Sequence, residues 1–322
     1  MITSIVFISL FLLILAYFEL AKAFSIIDKP NERSSHKGLV IRGGGIVFVF
    51  AVLISSFFFI TIPWWFYLGF GAIAVLSFVD DITNLSPKIR LTIQFLAVLA
   101  LLYQVDFVGL PLWLLPFLVI LCLATLNAYN FMDGINGMNG MYSLSVLISL
   151  GWMNYQNNFH DMDMIRFLFL AVLVFGFFNF RTKAKCFSGD VGSVSMAFVL
   201  LYLIFVLINK TGNWTFLLFL LLYGLDTFWT IIERLLEGES ITQAHRKHLY
   251  QLLCNQRKKS HVSVSVMYFI IQTLISFWVI ENYFEGFANP WWFSVMLLVL
   301  GSLVYLSFKY ILKRQIKIEN HV

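Results

Sequence analysis

Eleven apolar runs divide the chain, at residues 2–22, 44–62, 64–79, 90–105, 111–127, 140–154, 165–180, 193–209, 214–234, 263–281 and 290–309, with the polar residues gathered between them. A helix needs roughly 20 mostly apolar residues to cross the hydrocarbon core, and backbone polar groups in lipid must be satisfied within their own segment. The pattern therefore predicts an all-α, polytopic integral membrane protein. The third run is short at its polar end and the sixth is barely long enough, so a ten-span count stands beside the eleven-span one.

Charge orients the spans. All but two of the 22 Lys and Arg residues fall in loops on one side, and only Arg166 and Lys210 occupy the other. The positive-inside bias puts the N-terminus outside and the C-terminus in the cytoplasm, which requires an odd number of spans and favours eleven. Trp64, Trp65, Trp113, Trp152, Trp214, Trp278, Trp291 and Trp292 fall near the outer ends, as an interfacial belt would. Met1 to Leu20 has neither a basic n-region nor a small-residue cleavage site, and a retained first helix is expected there.

Composition narrows the class further. Of 322 residues, 60% are hydrophobic and 12% charged, with a mean hydropathy of +0.84, whereas about a quarter of a soluble chain is charged. Eleven spans leave about 100 residues for loops, too few for a separate soluble domain, so one membrane-embedded domain over 1–322 is expected. The net charge of +5 is dispersed between apolar segments, which argues against a nucleic-acid partner. Cys122, Cys186 and Cys254 form no CxxC pair, so neither a disulfide framework nor a zinc site is indicated.

Nearly all the polar chemistry lies in five cytoplasmic loops, at 23–43, 80–90, 127–140, 181–193 and 235–262. The first runs from Asp28 to His36 and on to Arg42-Gly43-Gly44-Gly45. Its glycines admit a ligand or a neighbouring helix, and Arg42, near Arg33 and Lys37, supplies charge that suits phosphate. In the second, Asp80 and Asp81 end a helix whose dipole is already negative there. A divalent metal or a phosphate-bound proton would compensate, and Lys88 and Arg90 suit the anion that arrives with a metal. The third carries Asn127, Asn130, Asp133 and Asn136 at spacings of three, with glycines and no basic residue. These are hard oxygen ligands for magnesium, and amides able to read a base edge.

The fourth loop ends in Ser188-Gly189-Asp190-Val191-Gly192-Ser193, and Asp190 is expected at the N-cap of span eight. A helix N-terminus attracts phosphate, and the cap carboxylate would meet a diphosphate's magnesium. The fifth contains His245-Arg246-Lys247-His248; two histidines three apart on a helical turn would share a face. No HExxH pattern accompanies them, so diphosphate or sugar binding fits better than zinc. Asp226, inside span nine, is costly in lipid and is expected to be paired or functional. Polar features concentrated at one face argue for an enzyme working on a cytosolic substrate. The rival is a transporter or flippase for a lipid-linked sugar, motivated by the span count and Asp226.

Taken in order, the Asp80-Asp81 pair with Gln94, the segment Asn127 to Gly137, Ser188 to Ser193, Asp226 and the His-containing fifth loop resemble the polyprenyl-phosphate N-acetylhexosamine-1-phosphate transferases, glycosyl transferase family 4. The resemblance runs from about Asp28 to Gln251 and is closest to the branch initiating O-antigen or outer-core glycans. It implies attack of a polyprenyl phosphate oxygen on the β-phosphorus of a UDP-N-acetylhexosamine or 6-deoxy analogue, releasing UMP. It further implies magnesium, with manganese as the alternative, held by Asn130 and Asp190 with Asp133 nearby. Asp80 or Asp81 would deprotonate or orient the lipid phosphate. Asn136 would face the uracil, and Arg42, Lys88, Arg90, His245, Arg246 and His248 would serve the diphosphate and sugar. The implied partners are undecaprenyl phosphate, a UDP-N-acetylhexosamine and the bilayer of the bacterial inner membrane, with a homodimer left open. Asn136 stands where many members carry a second aspartate, and the triple histidine of the peptidoglycan enzyme is absent.

Overall fold

The structure is a computed structural model that describes residues 1–28, 40–59, 61–83, 85–107, 110–240, 245–286 and 290–319. A helix stands at each of the eleven apolar runs: α1 (Ile2–Ala23), α2 (Ile46–Ser55), α3 (Trp64–Thr83), α4 (Pro87–Gln104), α5 (Leu114–Met132), α6 (Met138–Asn157), α7 (Met162–Asn179), α8 (Gly189–Thr211), α9 (Leu221–Leu236, entered through a 3-10 turn at Trp214–Leu220), α11 (His261–Phe284) and α12 (Pro290–Glu319). The short α10 (Leu249–Gln251) and a π turn at Leu252–Gln256 occupy the fifth loop. Strands β1 (Ile27–Asp28) and β2 (Val40–Ile41) form a two-residue antiparallel ribbon in an otherwise helical molecule.

Eight of these helical segments are long and apolar enough to cross a membrane; among the others, the segment Ile46–Phe58 is shorter. Pro63 biases the residue before it away from the helical region, and the helix has already ended in a 3-10 turn at Ser56–Phe58. Span four starts earlier than its apolar run. Ser86 accepts the Ile89 N–H at 3.4 Å and Pro87 takes the first helical position. This places Arg90 in the first turn of α4 rather than ahead of it, facing the end of α3.

The core is organised around α8, of whose apolar window 94% is buried. It packs against α2, α3, α5 and α6, and a helix apolar on every side needs such a jacket. At the other extreme α12 leaves Val299, Leu303 and Val304 exposed, the surface expected of a lipid-facing helix. Because α8 is central and begins in the fourth loop, its N-terminus is the point on which the other loops converge.

Candidate active site

The first loop is sewn to the fourth by backbone. Ile41 N–H donates to the Lys185 carbonyl at 3.3 Å, and Phe187 N–H returns to the Ile41 carbonyl at 2.8 Å, in a parallel bridge. Gly44 and Gly45 then donate to the carbonyls of Phe187 and Ser188 at 2.8 and 3.0 Å. A Cβ on Gly45 would lie 2.4 Å from the Gly192 Cα, so the glycine serves close approach of two backbones. Tyr17, from α1, donates its hydroxyl to the Arg42 carbonyl at 2.6 Å. These contacts set the Arg42 guanidinium beside the start of α8.

The aspartates meet there. Arg42 Nε donates to Asp81 Oδ1 at 2.7 Å. The same carboxylate accepts Asp190 N–H at 2.9 Å and Val191 N–H at 3.0 Å. Asp81 thus caps α8 from another helix, which corrects the expectation for Asp190. The helix starts at Gly189, at φ +71°, so Asp190 lies in its first turn instead of at the cap. A Cβ on Gly189 would fall 2.5 Å from Asp81 Oδ2, which keeps that position glycine. Asp80 accepts Leu85 N–H at 2.5 Å and Arg90 Nη1 at 2.8 Å. Arg42 and Arg90 each stand 3.6 Å from one oxygen of Asp190. Burial alone would lower the Arg42 guanidinium, but Asp81 and Asp190 outweigh it and raise it.

The third loop closes over this cluster. Asp133, directly after α5, lies close to the Gly189 N–H, which favours its charged form. Burial, then the charges of Asp190 and Asp81, push its carboxyl well above the usual range. Gln94 accepts from the Asn127 amide at 3.2 Å and ties α4 to α5. The buried Asn136 donates its amide nitrogen to the Arg181 carbonyl at 2.7 Å and takes His261 Nδ1 on its backbone N–H at 3.3 Å. That nitrogen braces the fourth loop, so any reading of a uracil edge falls to the amide oxygen. Lys88 is exposed on α4.

The fifth loop docks on the third through Tyr250. Its hydroxyl donates to the Phe131 carbonyl at 2.8 Å, and a Cβ on Gly134 would lie 2.1 Å from it. The two histidines are not on a helical turn. His248 is extended, at φ −61° and ψ 146°, just ahead of α10, because its N–H donates to Gln251 Oε1 at 3.2 Å. Their rings nevertheless lie 4.9 Å apart. His248 is buried and His245 half-buried. Burial, then His248 and Arg234, lower His245 to about 4. Arg246 is exposed beside Lys247, Lys313 and Lys317 in a cationic cleft of about 400 Å³. Arg33, His36, Lys37, Gln243 and Ala244 lie outside the described residues.

Sequence reasoning passed over Tyr17, Tyr250 and His261, which hold loops in place. Nothing distinguishes Tyr17 or Tyr250 among 13 tyrosines.

Among the described residues no three His, Cys, Asp or Glu side chains form a closed metal cage. Magnesium needs none, since it is bound through one or two carboxylates together with substrate phosphates. The donor chemistry fits it. Asp80, Asp81 and Asp190 pair with Arg42 and Arg90, and Asp133 stands beside them, so carboxyl groups outnumber guanidiniums four to two. Asp80 and Asp190 lie within hydrogen-bonding reach of each other, an arrangement of two carboxylates that calls for a shared cation or proton.

Loops thus converge at one end of the helical bundle on an acidic centre, and the comparisons with known proteins make the molecule a membrane-embedded sugar-phosphate transferase. The Glycosyl transferase family 4 model matches residues 63–208, which include every aspartate of the cluster. Over that stretch the chain is similar to the family. It is similar to the undecaprenyl-phosphate alpha-N-acetylglucosaminyl 1-phosphate transferase of Escherichia coli, 26% identical over 99% of this chain and 93% of that protein. The Yersinia pestis protein of the same name is 25% identical over 99% and 93%. A probable undecaprenyl-phosphate N-acetylglucosaminyl 1-phosphate transferase of Bacillus subtilis is 25% identical over 76% of this chain and 74% of its own length.

Proposed function

We propose that this protein transfers an N-acetylated hexosamine 1-phosphate from a UDP-sugar to undecaprenyl phosphate at the cytoplasmic face of the bacterial inner membrane, releasing UMP and starting a lipid-linked surface polysaccharide. The observation that carries the reading is the pairing of three aspartates, Asp80, Asp81 and Asp190, with Arg42 and Arg90 at the N-terminus of α8. Such a centre suits two phosphorylated substrates and a divalent cation. The relatives' names make UDP-N-acetylglucosamine the first donor to test.

In this reaction a lipid phosphate oxygen bonds to the β-phosphorus of the donor while the bond from that phosphorus to the bridging oxygen breaks, and UMP leaves with the electron pair. Bound magnesium, held by Asp190 and Asn130, would lower the charge barrier between two anions. Asp80 fixes Arg90 and Asp81 fixes Arg42, so both guanidiniums are oriented before substrate arrives, and a forked donor matches phosphate oxygens. Asp80 keeps the lipid phosphate deprotonated and in line. Asp133, beside the Gly189 N–H, completes the acidic wall. His245, Arg246 and His248 meet the sugar diphosphate from the fifth loop.

A transporter reading drew on Asp226, but that carboxylate is fully buried and hydrogen-bonded on both oxygens, so it offers no open site along a pathway. The test is a donor panel: purified protein, undecaprenyl phosphate, magnesium and UDP-N-acetylhexosamines with their 6-deoxy analogues, with lipid products read by mass spectrometry. A lipid-linked sugar diphosphate from at least one donor supports the reading and identifies the sugar.

A further inference from the structure

Asp226 sits in α9 with no exposed surface, and a buried carboxylate is tolerated only where donors surround it. Here they come from every side. Tyr268 of α11 donates to Oδ2 at 2.6 Å, and Tyr305 of α12 donates to Oδ1 at 2.9 Å. Leu249 N–H and the Thr230 hydroxyl reach Oδ1 at 3.1 and 3.3 Å. The remaining partner is His248, whose Nδ1 lies 3.2 Å from Oδ1. Nearby cations are already engaged: Lys309 bonds Thr230 at 2.9 Å and pairs with Glu233 at 2.9 Å.

His248 is 2% exposed, and its other nitrogen, Nε2, is buried without a partner. Among the described residues it is the one imidazole nitrogen in that state. Buried polar atoms are ordinarily satisfied, so an orphan of this kind asks for a ligand. The ring lies against the third loop. It is flanked by Tyr250 at 5.8 Å and by Phe131 at 6.4 Å, between centroids, and Phe131 is two residues before Asp133.

We propose that Asp226 is a positioning residue: it holds the His248 imidazole with Nδ1–H on the carboxylate, which leaves Nε2 presented to the sugar diphosphate. The inference rests on the transferase reading for its substrate. A carboxylate only accepts, so the contact at 3.2 Å puts the proton on Nδ1, and the partner of one ring nitrogen sets what the other can do. Three of the four further donors, Thr230, Tyr268 and Tyr305, lock the carboxylate to α9, α11 and α12, and the Leu249 N–H brings α10 to it. The imidazole, on an otherwise extended segment, thereby inherits the rigidity of the bundle.

Two experiments test this. In the unmodified protein labelled with nitrogen-15 histidine, the signal lost in His248→Gln identifies His248 and should report a protonated Nδ1; a neutral ring protonated at Nε2 alone would overturn the proposal. In UMP-release assays, Asp226→Ala should lower kcat about a hundredfold, the scale of a misplaced reacting contact, while KM for the UDP-sugar moves less than about threefold. Asp226→Asn, which still offers an acceptor, should recover most of that loss. In a His248→Gln background Asp226→Ala should cost less than about threefold more, because residues acting as a unit are not additive. Losses that multiply would make Asp226 a structural residue only. If Asp226→Ala fails to fold, the nitrogen-15 spectrum of the unmodified chain and the Asn variant still decide. If no donor yields UMP, the transferase reading fails, and the spectrum still decides the pair.

Discussion

Asp81 accepts Arg42 Nε at 2.7 Å while its two oxygens also take the first N–H groups of α8. One carboxylate therefore joins the end of α3, the first loop and the start of the central helix. The arrangement resolves an electrostatic conflict, since a pair of aspartates at a helix C-terminus is unfavourable until positive ends face it. It also divides labour within the Asp80-Asp81 pair: Asp81 builds the site, and Asp80 orients Arg90.

Asp81→Asn is accordingly expected to act first on stability. The amide keeps one acceptor but loses the charge that faces Arg42 and one N–H partner, a loss of about 2–3 kcal/mol for hydrogen bonds to a charged group. Denaturation in lipid nanodiscs checks it, and an unchanged midpoint would remove Asp81 from the scaffold.

Asp190→Asn should do the reverse. Its carboxylate makes 3.6 Å ion pairs to Arg42 and Arg90, lies within reach of the Asp80 carboxyl, which an amide would relieve of a like charge, and caps nothing, so thermal stability should hold. Turnover should fall about a hundredfold or more, the scale for losing an electrostatic stabiliser of a transferring phosphoryl group. The magnesium concentration for half-maximal rate should rise as well. Near-normal turnover would take Asp190 out of the site.

Gly45→Ala tests the backbone contact between α2 and α8. The new methyl would meet Gly192 Cα at 2.4 Å and the Ser188 carbonyl at 2.8 Å, against backbone that cannot swing aside. Overpacking of this kind costs about 1–3 kcal/mol. Gly176→Ala in α7 meets nothing within 4 Å and should stay within about 1 kcal/mol of the parent, in the stabilising direction. Parallel thermal melts of the two variants compare them directly.

His245 gives the fold an acid-sensitive component. Its folded value is lowered to about 4, against about 6.5 in an unfolded chain. Between those values the unfolded state holds the extra proton, so stability falls as pH drops through the window and is untouched above it. His245→Gln should therefore lose less melting temperature than the parent between pH 7.5 and pH 5. An equal loss in both would show that other groups carry the acid response.

The helices were legible because an apolar run is a local signal: all eleven runs carry a helix, and eight of the helical segments are long and apolar enough to cross a membrane. Even the weak sixth run forms α6, whose Asn139, Ser143, Ser145 and Ser149 are buried in the bundle. That burial explains its modest apolarity. The acidic residues were legible as chemistry but not as partners. Asp81 caps a helix 109 residues away, and no local pattern encodes that choice. Asp190 followed the local N-cap pattern, and Asp81 overrode it. Asp226 was recognisable as a residue needing a partner, yet its partners are tyrosines of α11 and α12 together with His248 of the fifth loop, which no local pattern announces.

The central claim is that this centre moves a sugar 1-phosphate onto a lipid phosphate. The most direct measurement is UMP released against undecaprenyl phosphate consumed, with the purified protein in nanodiscs, UDP-N-acetylglucosamine and magnesium. The account predicts equal amounts of both, no UMP without the lipid, and none from Asp190→Asn on the same timescale. Folded protein that releases no UMP from any UDP-N-acetylhexosamine, with the lipid present, would contradict it.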